Sequence, residues 1–158
     1  MKPNIGVSVN NRKEVGQLLN ALLADEFVLY IKTWQYHWNV RGVDFFAQHK
    51  FLEDLYKQSE KIIDDVAERA RALGEPAKGS MQDYVDLTRL TEDRRTNVAT
   101  KTMLKNLLDD HEKIIKILRD DLEVCGLDFE DEGTANFLTD LMELHEKTAW
   151  MLRASVEK

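Results

Sequence analysis

Histidine and acidic side chains are the residues of this chain whose types and spacing could support chemistry. His37, His49, Glu53, Asp64 and Glu68 follow one another at intervals of 12, 4, 11 and 4 residues. Imidazole combined with several carboxylates suits a divalent transition metal such as iron and leaves coordination positions for an oxidant. The same acids would also suit the solvated face of a charged helix, so the spacing alone leaves both interpretations open.

The geometry of a helix restricts how these five residues can meet. Asp64 lies 15 residues beyond His49, which is roughly 22 Å along a helix at 1.5 Å per residue. A single chain therefore cannot bring the two histidines and the last two acids to one ion. A two-fold axis could place His37, His49 and Glu53 of one subunit opposite Asp64 and Glu68 of another. Any metal site formed by these residues is expected between two subunits.

The other two histidines and the motifs that the sequence lacks limit which other kinds of active site are possible. No Glu stands three residues before any of the four His, so the paired E-x-x-H signature of a di-iron site inside one bundle is missing. His111 and His145 lie in apolar stripes and are expected to be hydrogen-bonded core residues. Nucleophile triads, phosphate-binding loops and dinucleotide-binding motifs are absent.

Composition indicates one helical domain. Of the 158 residues only 7 are Gly and 2 are Pro, while 32% are charged and 43% are apolar, a balance that excludes an all-β fold. The single Cys125 excludes an internal disulfide framework and is expected to be a buried small side chain. A net charge of -7 favours cations over nucleic acid as partners. No uncharged stretch is long enough to cross a bilayer, and a cytoplasmic location is expected.

Hydrophobic periodicity predicts four long helices over about 11–37, 45–73 and 97–125, and from near Asp131 or Thr134 to about 156. Gly74 is expected to end the second helix and Gly126 the third. The long connection between these two helices contains a short periodic piece over 81–90, and its length allows it to cross the bundle. The predicted fold is all-α, a ferritin-like four-helix bundle with a long crossover between helices two and three that contains a short extra helix. Residues 1–10 are predicted to be a flexible tail and residues 11–158 a single domain.

Several segments of the sequence resemble the Dps family, the ferritin-like mini-ferritins named for DNA protection in starved cells. The resemblance rests on YHWNVRGVDFFAQHKFLEDLY over 36–56, DDVAERARALGE over 64–75, DHEKIIKILRDDLE over 110–123 and GTANFLTDLMELHEKTAWMLR over 133–153. It covers nearly the whole chain from Glu14 onward, and its most specific part is the spacing of the five candidate ligands.

The resemblance implies a hollow homo-dodecamer in a bacterial or archaeal cytosol or nucleoid. Ferrous iron would be oxidised, preferably by hydrogen peroxide, at sites between subunits, and ferric oxide would be stored in the cavity. The resemblance implies that five residues both bind the iron and catalyse its oxidation: His37, His49, Glu53, Asp64 and Glu68. Asp64 and Glu68 would come from the neighbouring subunit. Trp38 matches a family aromatic near the site that intercepts stray oxidising equivalents, although interface packing explains it equally well.

Iron entry and DNA binding are further properties that the resemblance implies. Acidic pores near the start of the fourth helix would be lined by Asp128, Glu130, Asp131, Glu132 and Asp140. DNA-binding members use a lysine-rich tail. The N-terminal segment of this chain has only Lys2, Arg12 and Lys13 as candidate DNA contacts. DNA binding is therefore possible but not favoured, because counterion release needs several phosphate contacts. The alternative function is a structural, DNA-compacting protein with little or no ferroxidase activity.

Overall fold

The computed structural model describes residues 3–157, in which all regular secondary structure is helical. The five helices are α1 (Val9–Asn39), α2 (Phe45–Ala72), α3 (Met81–Leu87), α4 (Thr100–Leu127) and α5 (Glu132–Val156). This order confirms the predicted all-α class, with four long helices and a short helix in the second connection. Within the described residues, no helix is both long and apolar enough to cross a membrane.

Two helical hairpins and one crossover make up the bundle. α1 packs against α2, and α4 packs against α5. Lys32 of α1 contacts Asp110 of α4, and Tyr36 contacts Asn106, so residue numbers fall along α4 as they rise along α1. Since α2 is also antiparallel to α1, helices α2 and α4 run parallel. The connection that holds α3 therefore crosses from one end of the bundle to the other.

The crossover is held in place by a buried carboxylate. Asp25 of α1 is fully buried and accepts hydrogen bonds from the Arg89 Nε at 2.7 Å and from the Thr88 hydroxyl at 3.0 Å. Arg89 also pairs with Asp121 of α4 at 3.2 Å. A single guanidinium thus joins the crossover to two long helices. It also compensates the negative charge of the buried Asp25 inside the protein.

Helix ends follow the expected signals in one case and depart from them in another. Gly74 has φ of +89° and ends α2, as predicted. Gly126 lies inside α4, so the prediction that it ends this helix is wrong. Glu130 takes the left-handed conformation instead, with φ of +53°. The Asp131 N–H then reaches the Cys125 carbonyl at 2.9 Å, which satisfies an acceptor at the end of the helix.

The first helix begins earlier than the sequence suggested. Val9 and Asn10 belong to α1, so the predicted tail over 1–10 is too long at its C-terminal end. Ser8 is the N-cap and accepts a hydrogen bond from the Asn11 N–H at 3.1 Å. This capping side chain sets the start of the helix at Val9, two residues before the start that the apolar pattern indicated.

The core lies between the four long helices and is almost entirely aliphatic. Leu19, Leu52, Leu107 and Leu138 show how each long helix contributes fully buried side chains. Each such burial contributes about 1.5–3 kcal/mol relative to an exposed side chain. Cys125 is also fully buried, as predicted. The apolar core therefore sets how α1 and α2 face each other at the candidate site.

Candidate metal centre

The two histidines at the α1–α2 turn hold each other in place. The His37 Nδ1 lies 2.9 Å from the backbone carbonyl oxygen of His49, and the His49 Nδ1 lies 2.9 Å from the carbonyl oxygen of His37. The rings stack with centroids 3.8 Å apart and planes inclined by 21°. A carbonyl oxygen can only accept, so each Nδ1 carries the proton and donates it. In the neutral imidazole, each Nε2 then keeps the lone pair through which the ring binds a metal.

Glu53 lies one turn beyond His49 and is already paired with cations. Lys57 donates to its Oε1, and the Lys50 Nζ is 3.2 Å from its Oε2. These hydrogen bonds, chiefly the one from Lys57, lower the pKa of Glu53 to about 2. Both lysines are more than half exposed, so they hold the carboxylate ionised without burying it. An ionised carboxylate is ready to bind a hard or borderline cation.

Asp64 and Glu68 are exposed on α2, well beyond the histidine pair. They lie 11 and 15 residues after Glu53, which corresponds to roughly 16 and 22 Å along the helix. Within residues 3–157, no three His, Cys, Asp or Glu side chains of one chain are grouped so that they could hold a metal ion. The structure thus brings together His37 and His49, with Glu53 one turn away, and keeps Asp64 and Glu68 apart from them. The shared site between two subunits stays a prediction.

An aromatic cluster lies directly beside the histidine pair. It consists of Tyr30, Trp34, Trp38 and Tyr56, and the Tyr56 ring centroid is 5.2 Å from that of His37. Trp38 is 61% exposed and contacts Trp34 at 4.7 Å. The sequence pointed only to Trp38 in connection with the site. The i, i+4, i+8 spacing of the three α1 members was the signal for the larger cluster.

One of the five pore candidates has a different role. Asp131 is 3% exposed and is the N-cap of α5, where it accepts hydrogen bonds from the Thr134 N–H and hydroxyl at 3.0 and 2.6 Å. Its Oδ1 also lies 3.0 Å from the Arg69 guanidinium. The assignment of Asp131 as a pore residue is therefore wrong, because its carboxylate is buried and fully engaged. The other four candidates are exposed: Asp128, Glu130, Glu132 and Asp140.

The basic residues expected to contact DNA do not form a patch in the described structure. Arg12 is 6% exposed, and its guanidinium donates to the carbonyl oxygens of Pro3 at 2.9 Å and Val7 at 3.0 Å. Arg12 is therefore a structural residue, which corrects its assignment as a DNA contact. Lys13 is exposed, and Lys2 lies outside the described residues.

The other two histidines lie in the core, as predicted. His111 and His145 are buried, and their Nδ1 atoms are 2.8 Å apart. Burial, and to a smaller extent His145, holds the pKa of His111 well below 6.5. Sequence reasoning missed their third partner, the fully buried Glu26, whose Oε1 is 2.9 Å from the His145 Nε2. Nothing in the α1 pattern distinguishes this acid from an exposed one.

Comparisons with known proteins agree with this architecture. Residues 16–158 match the model of the ferritin-like domain. The chain is 44% identical over 154 residues to an uncharacterized low temperature-induced protein of a Nostoc species, covering 98% of this chain and 86% of that protein. It is 35% identical over 141 residues to a DNA protection during starvation protein of Helicobacter pylori, covering 87% of this chain and 95% of that protein.

A solved structure gives the same result for the fold. The crystal structure of a Dps protein from Vibrio cholerae, described as a member of a broad superfamily of ferritin-like diiron-carboxylate proteins, superposes with a TM-score of 0.93 at 30% identity. The match covers 99% of this chain and 97% of that one, so the predicted ferritin-like fold is confirmed. Helix order, the long crossover and these similarities lead to one assignment. The chain belongs to the Dps family of ferritin-like proteins.

Proposed function

We propose that this protein oxidises ferrous iron at sites shared by two subunits and stores the ferric product inside a dodecameric shell. The observation that carries the proposal is the pair of His37 and His49, whose Nδ1 atoms bond to backbone carbonyls and whose Nε2 atoms have no hydrogen-bond partner among residues 3–157. Two imidazole Nε2 atoms next to an ionised Glu53 suit a divalent transition metal. In this proposal the partner subunit supplies the acids equivalent to Asp64 and Glu68.

The proposed oxidant is hydrogen peroxide. Peroxide needs two electrons to become water or hydroxide, and each ferrous ion supplies one. Two ferrous ions at one site can therefore reduce peroxide together without releasing a hydroxyl radical. The role of this chain's residues is to bind and orient the ions, with His37 and His49 as neutral donors and the carboxylates compensating the positive charge.

An exposed apolar surface supports association through α1 and α3. Ile31 is 38% exposed, Val85 is 55% exposed and Met81 is 66% exposed, and all three line one concave surface between these helices. Contiguous exposed apolar side chains of this kind mark protein contacts more often than free surface. A second copy covering this surface would lie on the same face of α1 as Trp38, next to the histidine pair.

The direct test is stopped-flow absorbance of iron oxidation by peroxide, with ferrous iron added anaerobically before the oxidant. We expect rapid oxidation by the wild type and its loss in the Asp64→Ala/Glu68→Ala variant, with assembly intact because neither residue is in the core. Asp65→Ala is the matched control, because Asp65 is the next residue but pairs with Lys61. Equal rates in wild type and double variant would contradict the shared site.

Co-assembly of two inactive variants tests whether the site is shared. One variant carries His49→Gln, whose amide can still donate to the His37 carbonyl, and the other carries Asp64→Ala/Glu68→Ala. If the site is shared, each mixed dimer regains one intact site, and random mixing restores about one quarter of the wild-type activity. A site confined to one chain would give no restoration. Size-exclusion chromatography of each preparation checks the dodecamer independently.

DNA binding is not part of the proposal. The Helicobacter pylori relative is named for DNA protection, but Arg12 of this chain is bound by its own backbone and the net charge is -7. We expect little retention of duplex DNA by the shell, and retention that disappears with added salt where it occurs. Gel retardation over a salt series measures it, and salt-resistant retention would favour the DNA-compacting alternative.

A further inference from the structure

A group of buried ionisable side chains joins three helices inside the bundle. Glu26 of α1 is 0% exposed, His145 of α5 is 2% exposed and His111 of α4 is 6% exposed. The His145 Nε2 lies 2.9 Å from the Glu26 Oε1, and the Nδ1 atoms of the two histidines are 2.8 Å apart. Glu26 precedes His37 by 11 residues, which is roughly 16 Å along α1. The buried group is therefore separate from the candidate shared site.

The contact between Glu26 and His145 has the length of a hydrogen bond but not its direction. Neither oxygen of the Glu26 carboxylate has a hydrogen-bond partner among the described residues, and the same is true of the His145 Nε2. Since 2.9 Å is an ordinary hydrogen-bond length, the N–H direction of the ring must lie too far from the oxygen. Buried polar atoms without a partner are rare and destabilising. Three such atoms in one place indicate a ligand that binds between the two side chains.

A metal ion fits this arrangement. Two ligands in adjacent positions around one ion, with bonds of about 2.1 Å and an angle of about 90°, have donor atoms about 3 Å apart. The separation of 2.9 Å between Nε2 and Oε1 agrees with that value. In such a site the nitrogen lone pair points at the ion and not at the neighbouring oxygen, as observed here. Carboxylate and imidazole together suit a divalent first-row transition metal, and these two side chains supply three donor atoms.

His111 determines which nitrogen of His145 is available to an ion. Of two Nδ1 atoms at 2.8 Å, one donates and the other accepts. Burial holds the pKa of His111 well below 6.5, so this ring is neutral and can accept. His145 then carries a proton on Nδ1 and can use its Nε2 lone pair for a metal. Histidines that bind metals ordinarily have their other nitrogen hydrogen-bonded in this way.

A small cavity beside the histidines opens between α2 and α5. It measures about 10 Å³, close to the space that one water molecule needs, and its polar lining includes Ser59 and Thr148. Both hydroxyls donate to carbonyls of their own helices, so each oxygen can still accept a hydrogen bond from a water on the ion. A wider groove of about 190 Å³ adjoins the cavity and carries the exposed Asp140. Ions and water can therefore approach His145 from this side.

We propose that Glu26 and His145 bind a divalent transition metal ion inside each subunit, with His111 as the positioning residue for His145. In the metal-free protein the pair holds a proton that compensates the buried carboxylate, and the metal ion replaces this proton. The bound ion links α1 to α5 and so joins the two helical hairpins of one chain. The site needs no second subunit, and the inference does not depend on the proposed ferroxidase function.

Cobalt(II) binding is the first test, measured by equilibrium dialysis and elemental analysis. The Asp64→Ala/Glu68→Ala background removes acids of the candidate shared site. In this background we expect Glu26→Gln and His145→Gln each to lower saturation binding by about one ion per subunit. His111→Gln should keep the site but weaken its affinity about tenfold. Equal cobalt content with and without Glu26→Gln would overturn the proposal.

Glu112→Gln is the matched control for the loss of a carboxylate. Glu112 follows His111 on α4, but its side chain is 38% exposed and pairs with Arg153, so cobalt binding should equal that of the background. Circular dichroism and size-exclusion chromatography show whether each variant keeps its fold and assembly. Calorimetry in buffers of different ionisation enthalpy should detect about one proton released per ion bound at this site. Binding without proton release would overturn the exchange.

Anomalous scattering from wild-type crystals grown with cobalt(II) locates the ions without any substitution. We expect a peak about 2.1 Å from the Glu26 carboxylate and from the His145 Nε2. A peak at His37 and His49 alone would overturn this inference and leave the ferroxidase proposal standing. A peak at Glu26 and His145 alone would support this inference and contradict the shared site. Absence of a peak from both places would overturn both.

Discussion

Replacement of Asp131 by Ala distinguishes a helix cap from a pore residue. Asp131 accepts two hydrogen bonds from Thr134 at 3.0 and 2.6 Å and one from Arg69 at 3.0 Å. Loss of an N-cap costs about 1 kcal/mol, and loss of a hydrogen bond to a charged partner costs about 1.5–3 kcal/mol. Because Arg69 is 26% exposed and is partly solvated after the change, we take the lower part of that range. The variant is expected to lose about 2–3 kcal/mol of unfolding free energy per subunit.

Urea unfolding at fixed protein concentration measures this loss, with the initial rate of iron uptake recorded on the same samples. Asp131→Asn should recover about half of the loss, because the amide oxygen still caps the Thr134 N–H while the charge facing Arg69 is gone. Asp128→Ala is the control for stability, which it should leave unchanged, since Asp128 is exposed at the C-terminal end of α4. Slower iron uptake by Asp131→Ala at unchanged stability would show that the carboxylate serves the pore, and the reasoning from burial would fail.

Three further predictions concern the core and one turn. The pKa of His111 is held well below 6.5, so below about pH 6.5 the unfolded chain binds a proton that the folded chain does not; stability should be complete above that pH and should fall as the pH drops, and the urea midpoint of His111→Gln should fall less steeply. Gly74→Ala should cost more than about 1 kcal/mol, because φ is +89° and an added Cβ would lie 2.7 Å from the Pro3 Cγ; thermal unfolding tests this, and Gly79→Ala, where a Cβ meets no neighbouring atom, should behave like wild type. Burial raises the pKa of the Cys125 thiol to about 12, so a thiol reagent should label it only in denaturant, and labelling of the native protein would contradict that burial.

The sequence was sufficient for the helices because their apolar stripes and the glycine at position 74 act locally. Gly126 shows where local signals fail. Its preference for a left-handed turn was overridden, since Glu130 could take that conformation and place the Asp131 N–H on the Cys125 carbonyl. The end of α4 is therefore set by the packing of the α4–α5 corner, which no short window of sequence reports.

The candidate site likewise has some features that local spacing predicted and others that depend on how the helices pack. The intervals between His37, His49 and Glu53 predicted which residues would meet at the turn, because helical spacing is regular. The reciprocal hydrogen bonds between the two histidines depend on how α1 and α2 pack, so no sequence pattern indicated them. The sequence also did not indicate that Asp131 and Glu26 are buried, since an acidic residue is the same letter in the core as on the surface. Hydrogen bonds between helices, such as the one from the Tyr30 hydroxyl to Glu60, can also be identified only once the fold is known.

The bond from the His49 ring to His37 also belongs to the architecture of the turn. His37 is among the last four residues of α1, whose carbonyls have no partner within the helix. The His49 Nδ1 donates to one of them, so this imidazole is a C-terminal cap supplied by the next helix. Even in iron-free protein, a survey of all substitutions would therefore score position 49 as a folding residue. Amides such as Gln or Asn, which can donate to the same carbonyl, would be the best-tolerated replacements, and intolerance at this position would not by itself reveal metal chemistry.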